Sequence, residues 1–153
     1  MEARGPLPLV LASGSPRRAA LLESAGIPFE AFDPRDDGPI PPGGPRERVQ
    51  AHARFKAAVG RRKHPERLVL AADTVVWLDG RALGKPAGRA EAEAMLRELA
   101  GRRHEVWTGV CLVAPGERVF EQADRAVVAF EPIPEAGLQA YLNRGEWSGK
   151  AGS

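Results

Sequence analysis

The chain lacks what disulfide-bonded, secreted and membrane-spanning proteins need. Its 153 residues include a single cysteine, Cys111, which can form no internal disulfide. Apolar neighbours on both sides of Cys111 indicate a small buried side chain rather than a nucleophile. No apolar run is long enough to span a bilayer, and Pro6 and Pro8 interrupt the first apolar stretch, which argues against a secretory signal. We therefore expect a cytoplasmic protein with no membrane partner.

An excess of either charge is also missing. The 22 basic and 20 acidic residues leave a formal net charge of +2, which is too balanced to indicate a nucleic-acid partner. The basic stretch 61–64 follows a predicted helix, so a solvated last helical turn explains it. The alternative of a nucleic-acid-binding module would need support from an experiment that shows salt-sensitive binding to DNA. At 153 residues the chain has the length of one ordinary domain, so one domain over residues 1–153 is expected.

Two common kinds of site are absent as well. The sequence has no Gly-x-x-x-x-Gly-Lys-Ser/Thr loop, so a Walker-type NTPase has no support. The three histidines, His52, His64 and His104, have no metal-ligand spacing among them. We expect them to have ordinary surface or half-buried roles.

The first feature that is present is an anion-binding pattern in residues 7–26. The apolar run 10–12 indicates the end of a buried strand, and Ser15 indicates the N-cap of a helix. The unsatisfied N–H groups of the first helical turn would then lie beside Arg17 and Arg18, where a phosphate or carboxylate could bind. The alternative is an ordinary capped helix whose arginines meet solvent.

Strand and helix signals alternate along the chain, which favours an α/β fold with a mixed central sheet flanked by helices. The predicted strands cover residues 10–12, 28–32, 68–72, 75–78, 105–113 and 119–130. The predicted helices cover residues 16–25, 47–59, 90–100 and 134–143. A proline-rich loop over residues 33–45 separates the second strand from the second helix.

The predicted helix 47–59 carries a lysine on its apolar face. Val49, Ala53 and Lys56 follow one another at i, i+4 and i+7. Only four of the 22 basic residues are lysines, so a lysine on an inward-facing stripe is notable. The alternative is a lysine that covers the core with its stem and keeps its ammonium in water.

An acid and a second lysine belong to a predicted hairpin. Asp73 follows the apolar run 68–72, which places it at the C-terminal end of a buried strand, where ligands bind in open α/β sheets. A two-residue turn at 79–80 would pair Thr74 with Lys85 and bring Lys85 close to Asp73. The alternative is a structural ion pair near the surface.

Several cations around one acid suit the hydrolysis of a polyphosphate. The cations are Arg17, Arg18, Lys56 and Lys85, and they would bind phosphoryl oxygens. The carboxylate of Asp73 would hold a divalent metal ion or remove a proton from water.

These residues resemble a known family, the Maf-like nucleoside triphosphate pyrophosphatases. Five motifs of that family occur in order over most of the chain. They are Ser-x-Ser-Pro-Arg-Arg at 13–18, the second-helix lysine at Lys56, Ala-Asp-Thr at 72–74, Gly-Lys-Pro at 84–86 and a Leu-x-Gly-Arg-x-His-x-Val-x-Thr-Gly stretch at 99–109. Five ordered matches are far more specific than any one of them.

The resemblance implies a two-lobed α/β protein with a cleft, of the Maf/ITPase-like type. It implies hydrolysis of nucleoside triphosphates to the monophosphate and pyrophosphate with Mg²⁺, Mn²⁺ or a similar ion. Asp73 would be the general base and a metal contact. The triphosphate would be held by Arg17, Arg18, Lys56 and Lys85, with help from Ser13.

The resemblance also implies a branch of the family. Arg17 and Thr74 are typical of the branch that acts on dTTP, UTP and modified pyrimidine nucleotides, whereas a sister branch prefers 7-methyl-GTP. Thr74 is therefore included among the substrate-binding residues. A house-cleaning role on the nucleotide pool follows, and a homodimer is expected because members of the family tend to dimerise.

Two departures from the family pattern stand out. The motif Lys-Ala-Gly-x-Tyr-x-Ile-Gln begins at residues 150–153 and the chain then stops, so the family's final strand and helix are expected to be missing from residues 1–153. The family's additional acid has two candidates, Asp36 and Asp37. The alternative function is therefore a non-catalytic nucleotide-binding or septum-related regulatory protein.

Overall fold

The computed structural model describes residues 9–116 and 118–153, and within them it has six strands and four helices. Pro6, Pro8 and the start of the anion-binding pattern lie outside the described residues. In chain order the elements are β1 (Leu9–Ala12), α1 (Pro16–Ser24), β2 (Phe29–Phe32), α2 (Pro45–Lys63), β3 (Val69–Leu78), β4 (Arg81–Leu83), α3 (Arg89–Leu99), β5 (Arg103–Val113), β6 (Val119–Ala129) and α4 (Glu135–Arg144).

The six strands form one mixed sheet in the order β2-β1-β3-β5-β6, with β4 paired to β3. Strand β1 runs parallel to both β2 and β3, and its pairing with β3 extends from Val10 opposite Val69 to Ala12 opposite Ala71. Strand β4 runs antiparallel to β3. The predicted fold class, a mixed sheet flanked by helices, is therefore confirmed.

The chain forms two compact units, in agreement with the predicted two lobes. Unit 1 is built from Met1–Asp73 and Thr108–Ala123, of which residues 1–8 and 117 are not described. Unit 2 is built from Thr74–Trp107 and Asp124–Ser153. The boundaries fall within β3, β5 and β6, so each of these long strands contributes residues to both units.

Helix α2 is longer than the predicted span 47–59, because residues that favour helix termini extend it at both ends. Pro45 is its first residue, and the side chain of Glu47 accepts a hydrogen bond from the backbone N–H of Gly44 at 3.0 Å. The basic residues 61–63 form its last turn, as predicted, where positive charge complements the helix dipole. None of the helices described is both long and apolar enough to cross a membrane.

In unit 1, α2 packs directly on the sheet because small residues allow a close approach. A Cβ built on Gly60 would lie 2.8 Å from Val69 Cγ1 and 3.2 Å from the Cβ of Ala12. A Cβ on Gly109 would lie 2.6 Å from the backbone oxygen of Val49. The buried core of this unit consists of Val10, Ala12, Ala53, Ala57, Val69, Ala71 and Cys111. Burial raises the pKa of the Cys111 thiol to about 11.

In unit 2, the predicted hairpin forms but is shorter than expected. Asp79 and Gly80 have φ values of 48° and 79°, which a primed two-residue turn requires. The ladder of β3 and β4 ends at Val76 opposite Leu83, so the predicted pair of Thr74 and Lys85 does not form and that prediction is wrong. The carbonyl of Gly84 instead accepts a hydrogen bond from the N–H of Gly152 at 3.0 Å.

The rest of unit 2 is built around α3 and α4. The predicted apolar stripe of α3 is confirmed, because its buried residues are Ala92, Met95, Leu96 and Leu99. Two of them join Leu138 and Leu142 of α4 in one buried cluster. Burial lowers the pKa of His104, whose ring lies edge-on to Phe130 with centroids 5.0 Å apart.

The close contact at Gly109 generates a stability prediction. Gly109→Ala would push a methyl group into the backbone of α2, which cannot rotate away, so we expect a loss of about 1–3 kcal/mol in the free energy of unfolding. Gly137→Ala is the matched control, because a Cβ there meets no atom within 4 Å and a helical alanine gains up to about 1 kcal/mol over glycine. Urea unfolding of both variants measures the difference. Equal stabilities would contradict the packing described here.

Candidate active site

The turn between β1 and α1 is organised by a buried serine. Ser13 directly follows β1, and its Oγ accepts hydrogen bonds from the backbone N–H of Ser15 at 3.2 Å and from Arg18 Nη1 at 2.9 Å. Ser15 is the N-cap of α1, as predicted, but its side chain makes no capping hydrogen bond. The first turn of α1 contains no acidic residue, so its positive end is not neutralised from within the helix.

The two neighbouring arginines of α1 have different surroundings. Arg18 is half-buried, and its Nη1 also donates to the backbone carbonyl of Ala72 in β3 at 2.9 Å. Burial lowers the pKa of Arg18, while the nearby charge of Asp73 acts in the opposite direction. Arg17 is exposed. Arg18 therefore ties the helix start to β3, and Arg17 faces solvent at the same end of the helix.

Asp73 is a buried acid of unit 1, with 8% of its surface exposed. It lies in the middle of β3 and not at the end of a strand, so that part of the prediction is wrong. The strand continues because residues 75–78 resume the apolar pattern and residues 76–78 pair with β4. What does end near Asp73 is the pairing with β1, whose last pair is Ala12 and Ala71. Asp73 thus lies just beyond the end of β1, on the same edge as the Ser13 turn.

Lys56 of α2 is paired with this acid. Its Nζ lies 2.7 Å from Asp73 Oδ1 and 2.6 Å from Asp37 Oδ1. Only 8% of Lys56 is exposed. The alternative, an ammonium that reaches bulk water, does not fit because the group is held between two carboxylates.

The loop acid near Lys56 is Asp37 and not its neighbour. The side chain of Asp36 accepts a hydrogen bond from the backbone N–H of Gly38 at 2.9 Å, within the loop. Asp37 is largely exposed, and its carboxylate pairs with Lys56. Of the two acids that the sequence offered, the structure brings Asp37 to Asp73.

His52 is the residue that sequence reasoning missed. It is 4% exposed, and its Nδ1 lies 3.2 Å from Asp73 Oδ2. The available signal was its spacing, because His52 and Lys56 are four residues apart on the same buried face of α2. We had expected an ordinary role because the three histidines lack metal-ligand spacing with one another, and that criterion ignores the acids of other segments.

Three of these residues could hold a metal ion. Asp37, His52 and Asp73 each offer one ligand atom, and these atoms lie within 4.8 Å of one another. Carboxylate oxygens suit Mg²⁺ and Mn²⁺, and an imidazole is acceptable to Mn²⁺. The donor set therefore fits the divalent ion that the sequence predicts. It adds Asp37 to Asp73, the acid that the sequence analysis named as the metal contact.

The remaining predicted residues belong to unit 2. Thr74 directly follows Asp73 in the chain and is exposed, and so is Lys85. Because the ladder ends at Val76 and Leu83, the hairpin register does not by itself bring Lys85 to the acid. Unit 1 brings together Ser13, Arg18, Lys56 and Asp73.

The chain resembles named sequences over almost its whole length. The family profile described as "Maf-like protein" matches residues 8–153. A protein of Nitratidesulfovibrio vulgaris named dTTP/UTP pyrophosphatase is 48% identical over 150 residues, which cover 95% of this chain and 70% of that protein. A protein of Symbiobacterium thermophilum with the same name is 44% identical over 146 residues, which cover 95% of this chain and 75% of that protein.

Two solved structures share the fold at low sequence identity. A crystal structure titled nucleoside-triphosphatase / dITP/XTP pyrophosphatase from Mycobacterium abscessus has a TM-score of 0.50 and 21% identity, and it covers 84% of this chain and 75% of its own. The structure of the Staphylococcus aureus Ham1 protein has a TM-score of 0.52 and 15% identity, with coverage of 80% and 71%. These likenesses support the fold alone.

The different surroundings of the two arginines can be tested by stability. Arg18→Gln removes the guanidinium that bridges Ser13 and Ala72, so we expect the free energy of unfolding to fall by about 1–3 kcal/mol. Arg17→Gln is the matched control at an exposed neighbouring site and should change it by less than about 0.5 kcal/mol. Chemical unfolding measures both, and a larger loss from the Arg17 variant would refute the assignment.

Proposed function

Because the chain belongs to the Maf family, we propose that it hydrolyses dTTP and UTP to the nucleoside monophosphate and pyrophosphate. The proposal is supported by relatives of that name at 48% and 44% identity over 95% of the chain. Modified pyrimidine nucleotides are included in the proposal, which makes the protein a house-cleaning enzyme of the nucleotide pool. A cytoplasmic location belongs to the same proposal, because that pool is there.

The observation that carries the proposal is the buried carboxylate of Asp73 beside a cationic turn. Asp73 is surrounded by an ammonium, a guanidinium and an imidazole, from Lys56, Arg18 and His52. Nearby, the start of α1 offers N–H groups and a positive dipole end. Such a site favours a polyanion and places a carboxylate next to it.

Each residue then has a chemical role. Asp73 takes a proton from the attacking water, because an ionised carboxylate is a suitable base once the water is held next to it. When substrate enters, the ammonium of Lys56 exchanges its carboxylate partners for phosphoryl oxygens. Arg17, which is exposed to solvent, binds the triphosphate as it arrives. Ser13 and Arg18 hold the conformation of the turn, and Thr74 and Lys85 stay predicted substrate-binding residues.

Asp37 and Asp73 would hold the divalent ion, which supplies positive charge to the phosphate oxygens and lowers the barrier for water attack. These two carboxylates now share the ammonium of Lys56. In this proposal Lys56 would leave these carboxylates for the phosphoryl oxygens of the substrate. Within this proposal, the homodimer and the lack of a nucleic-acid partner stay predictions.

The role of Asp73 is tested by Asp73→Asn. The amide keeps the size of the side chain but cannot accept the proton, so we expect kcat to fall by about 100- to 10,000-fold while the protein stays folded. Pyrophosphate release from dTTP and UTP measures turnover, and circular dichroism checks the fold. Near-normal turnover in this variant would refute the mechanism. If the wild-type chain binds nucleotide without releasing pyrophosphate, the regulatory alternative is favoured.

The metal requirement is tested by removing and restoring the ion. We expect EDTA to abolish pyrophosphate release and Mg²⁺ or Mn²⁺ to restore it. Asp37→Asn should raise the Mn²⁺ concentration needed for half-maximal activity, because one carboxylate ligand is lost. Asp36→Asn is the matched control, since the side chain of Asp36 accepts a hydrogen bond from the backbone N–H of Gly38, which an amide oxygen can also accept. Full activity in EDTA would exclude a metal role.

A further inference from the structure

We propose that His52 is a positioning residue that fixes the carboxylate of Asp73 for hydrolysis. The inference rests on the proposed function and deepens it. Nothing in the family motifs quoted above includes this position, and it was found only from the geometry of α2 and β3. In this arrangement His52 orients Asp73, the base that takes the proton from water.

The geometry is a clamp on both oxygens of one acid. His52 Nδ1 lies 3.2 Å from Asp73 Oδ2, and Lys56 Nζ lies 2.7 Å from Asp73 Oδ1. Both groups come from the same face of α2, one helical turn apart. With one donor on each oxygen, the carboxylate cannot rotate about its Cβ–Cγ bond without losing both contacts. Lys56 is expected to move when substrate binds. The proposed function leaves the divalent ion to Asp37 and Asp73, so His52 can keep its contact with Asp73 throughout.

The direction of the hydrogen bond follows from burial. The other ring nitrogen of His52, Nε2, is buried and has no hydrogen-bond partner among the described residues. A hydrogen on Nε2 would be a buried donor with no acceptor, and Nδ1 would then present a lone pair to a carboxylate oxygen. The arrangement that satisfies both atoms best has the hydrogen on Nδ1, so that Nδ1–H donates to Asp73 Oδ2.

A second buried histidine shows what a packing role looks like. His104 is 6% exposed, its ring lies edge-on to Phe130, and its Nδ1 has no hydrogen-bond partner in the described part of the chain. In contrast, Nδ1 of His52 faces a carboxylate. His104 therefore offers a control for the effect of removing a buried imidazole as such.

The kinetic test compares substitutions that keep or lose a donor at the Nδ1 position. His52→Leu should lower kcat for dTTP by about 10- to 100-fold with little change in KM, the range typical of residues that orient a functional ligand. His52→Asn places its amide nitrogen where Nδ1 was and should recover most of the loss. His104→Leu, the control, should leave kcat near the wild-type value. An unchanged kcat in His52→Leu would overturn the proposal.

A second pair keeps the test decisive if His52→Leu does not fold. His52→Asn and His52→Gln are both polar, but glutamine carries its amide one bond farther out and cannot reproduce the donor at the Nδ1 position. We expect the asparagine variant to be clearly more active than the glutamine variant at equal thermal stability. Equal activity of the two would also overturn the proposal.

A measurement that needs no activity separates this proposal from the proposed function. Nitrogen-15 NMR of the ring should show the hydrogen of His52 on Nδ1 in the wild-type protein and a return to the Nε2–H form, which free histidine prefers, in Asp73→Ala. A hydrogen on Nε2 in the wild-type protein would refute the contact. If this signature is found but no nucleotide is hydrolysed, the proposed function fails and the contact stands. If nucleotide is hydrolysed and the signature is missing, the proposed function stands and the contact between His52 and Asp73 is refuted.

Discussion

The pairing of a buried acid in β3 with a buried lysine in α2 is the constraint on which unit 1 depends. A carboxylate on a residue that is only 8% exposed is unfavourable unless charged or polar donors contact it, and Asp73 contacts Lys56 and His52. Both partners are on one helix, so α2 can occupy only a narrow range of positions along the sheet. A slide of one helical turn would leave the acid without either donor.

Glycines allow the helix to satisfy this constraint. Gly60 lets the end of α2 pack against β1 and β3, and Gly109 lets β5 pack against the first half of α2 at Val49. His52 and Lys56 lie between Val49 and Gly60 in the sequence of this helix. The backbone is thus held close to the sheet on both sides of the donors, which allows short polar contacts from a histidine and a lysine. Pre-positioned groups of this kind lose little entropy when a ligand arrives.

Much of the fold could be predicted from the sequence because apolar periodicity and terminal signals agree locally. The buried stripe of α3 and the turn at 79–80 are examples. The length of β4 could not be predicted, because Gly84 pairs with Gly152, and a contact between residues 68 positions apart has no local signal.

The candidate site was predictable only in part, for a related reason. Recognisable motifs contain four of the predicted site residues, and unit 1 brings these together: Ser13, Arg18, Lys56 and Asp73. Asp37 lies in a proline-rich loop whose path is set by distant contacts, so the choice between it and Asp36 needed coordinates. The predicted stripe of α2 followed Val49, Ala53 and Lys56 and did not include His52, although the spacing of His52 from Lys56 is visible in the sequence.

The burial of the single thiol has a practical consequence for studying this protein in solution. Only the thiolate reacts readily with maleimides and related probes, and a pKa of about 11 leaves about one part in ten thousand of Cys111 in that form at pH 7. The side chain is also 2% exposed. One cysteine introduced at an exposed position of each unit can therefore carry a fluorophore or spin label selectively, without replacement of Cys111. The distance between two such labels then becomes measurable in a chain that is otherwise unaltered.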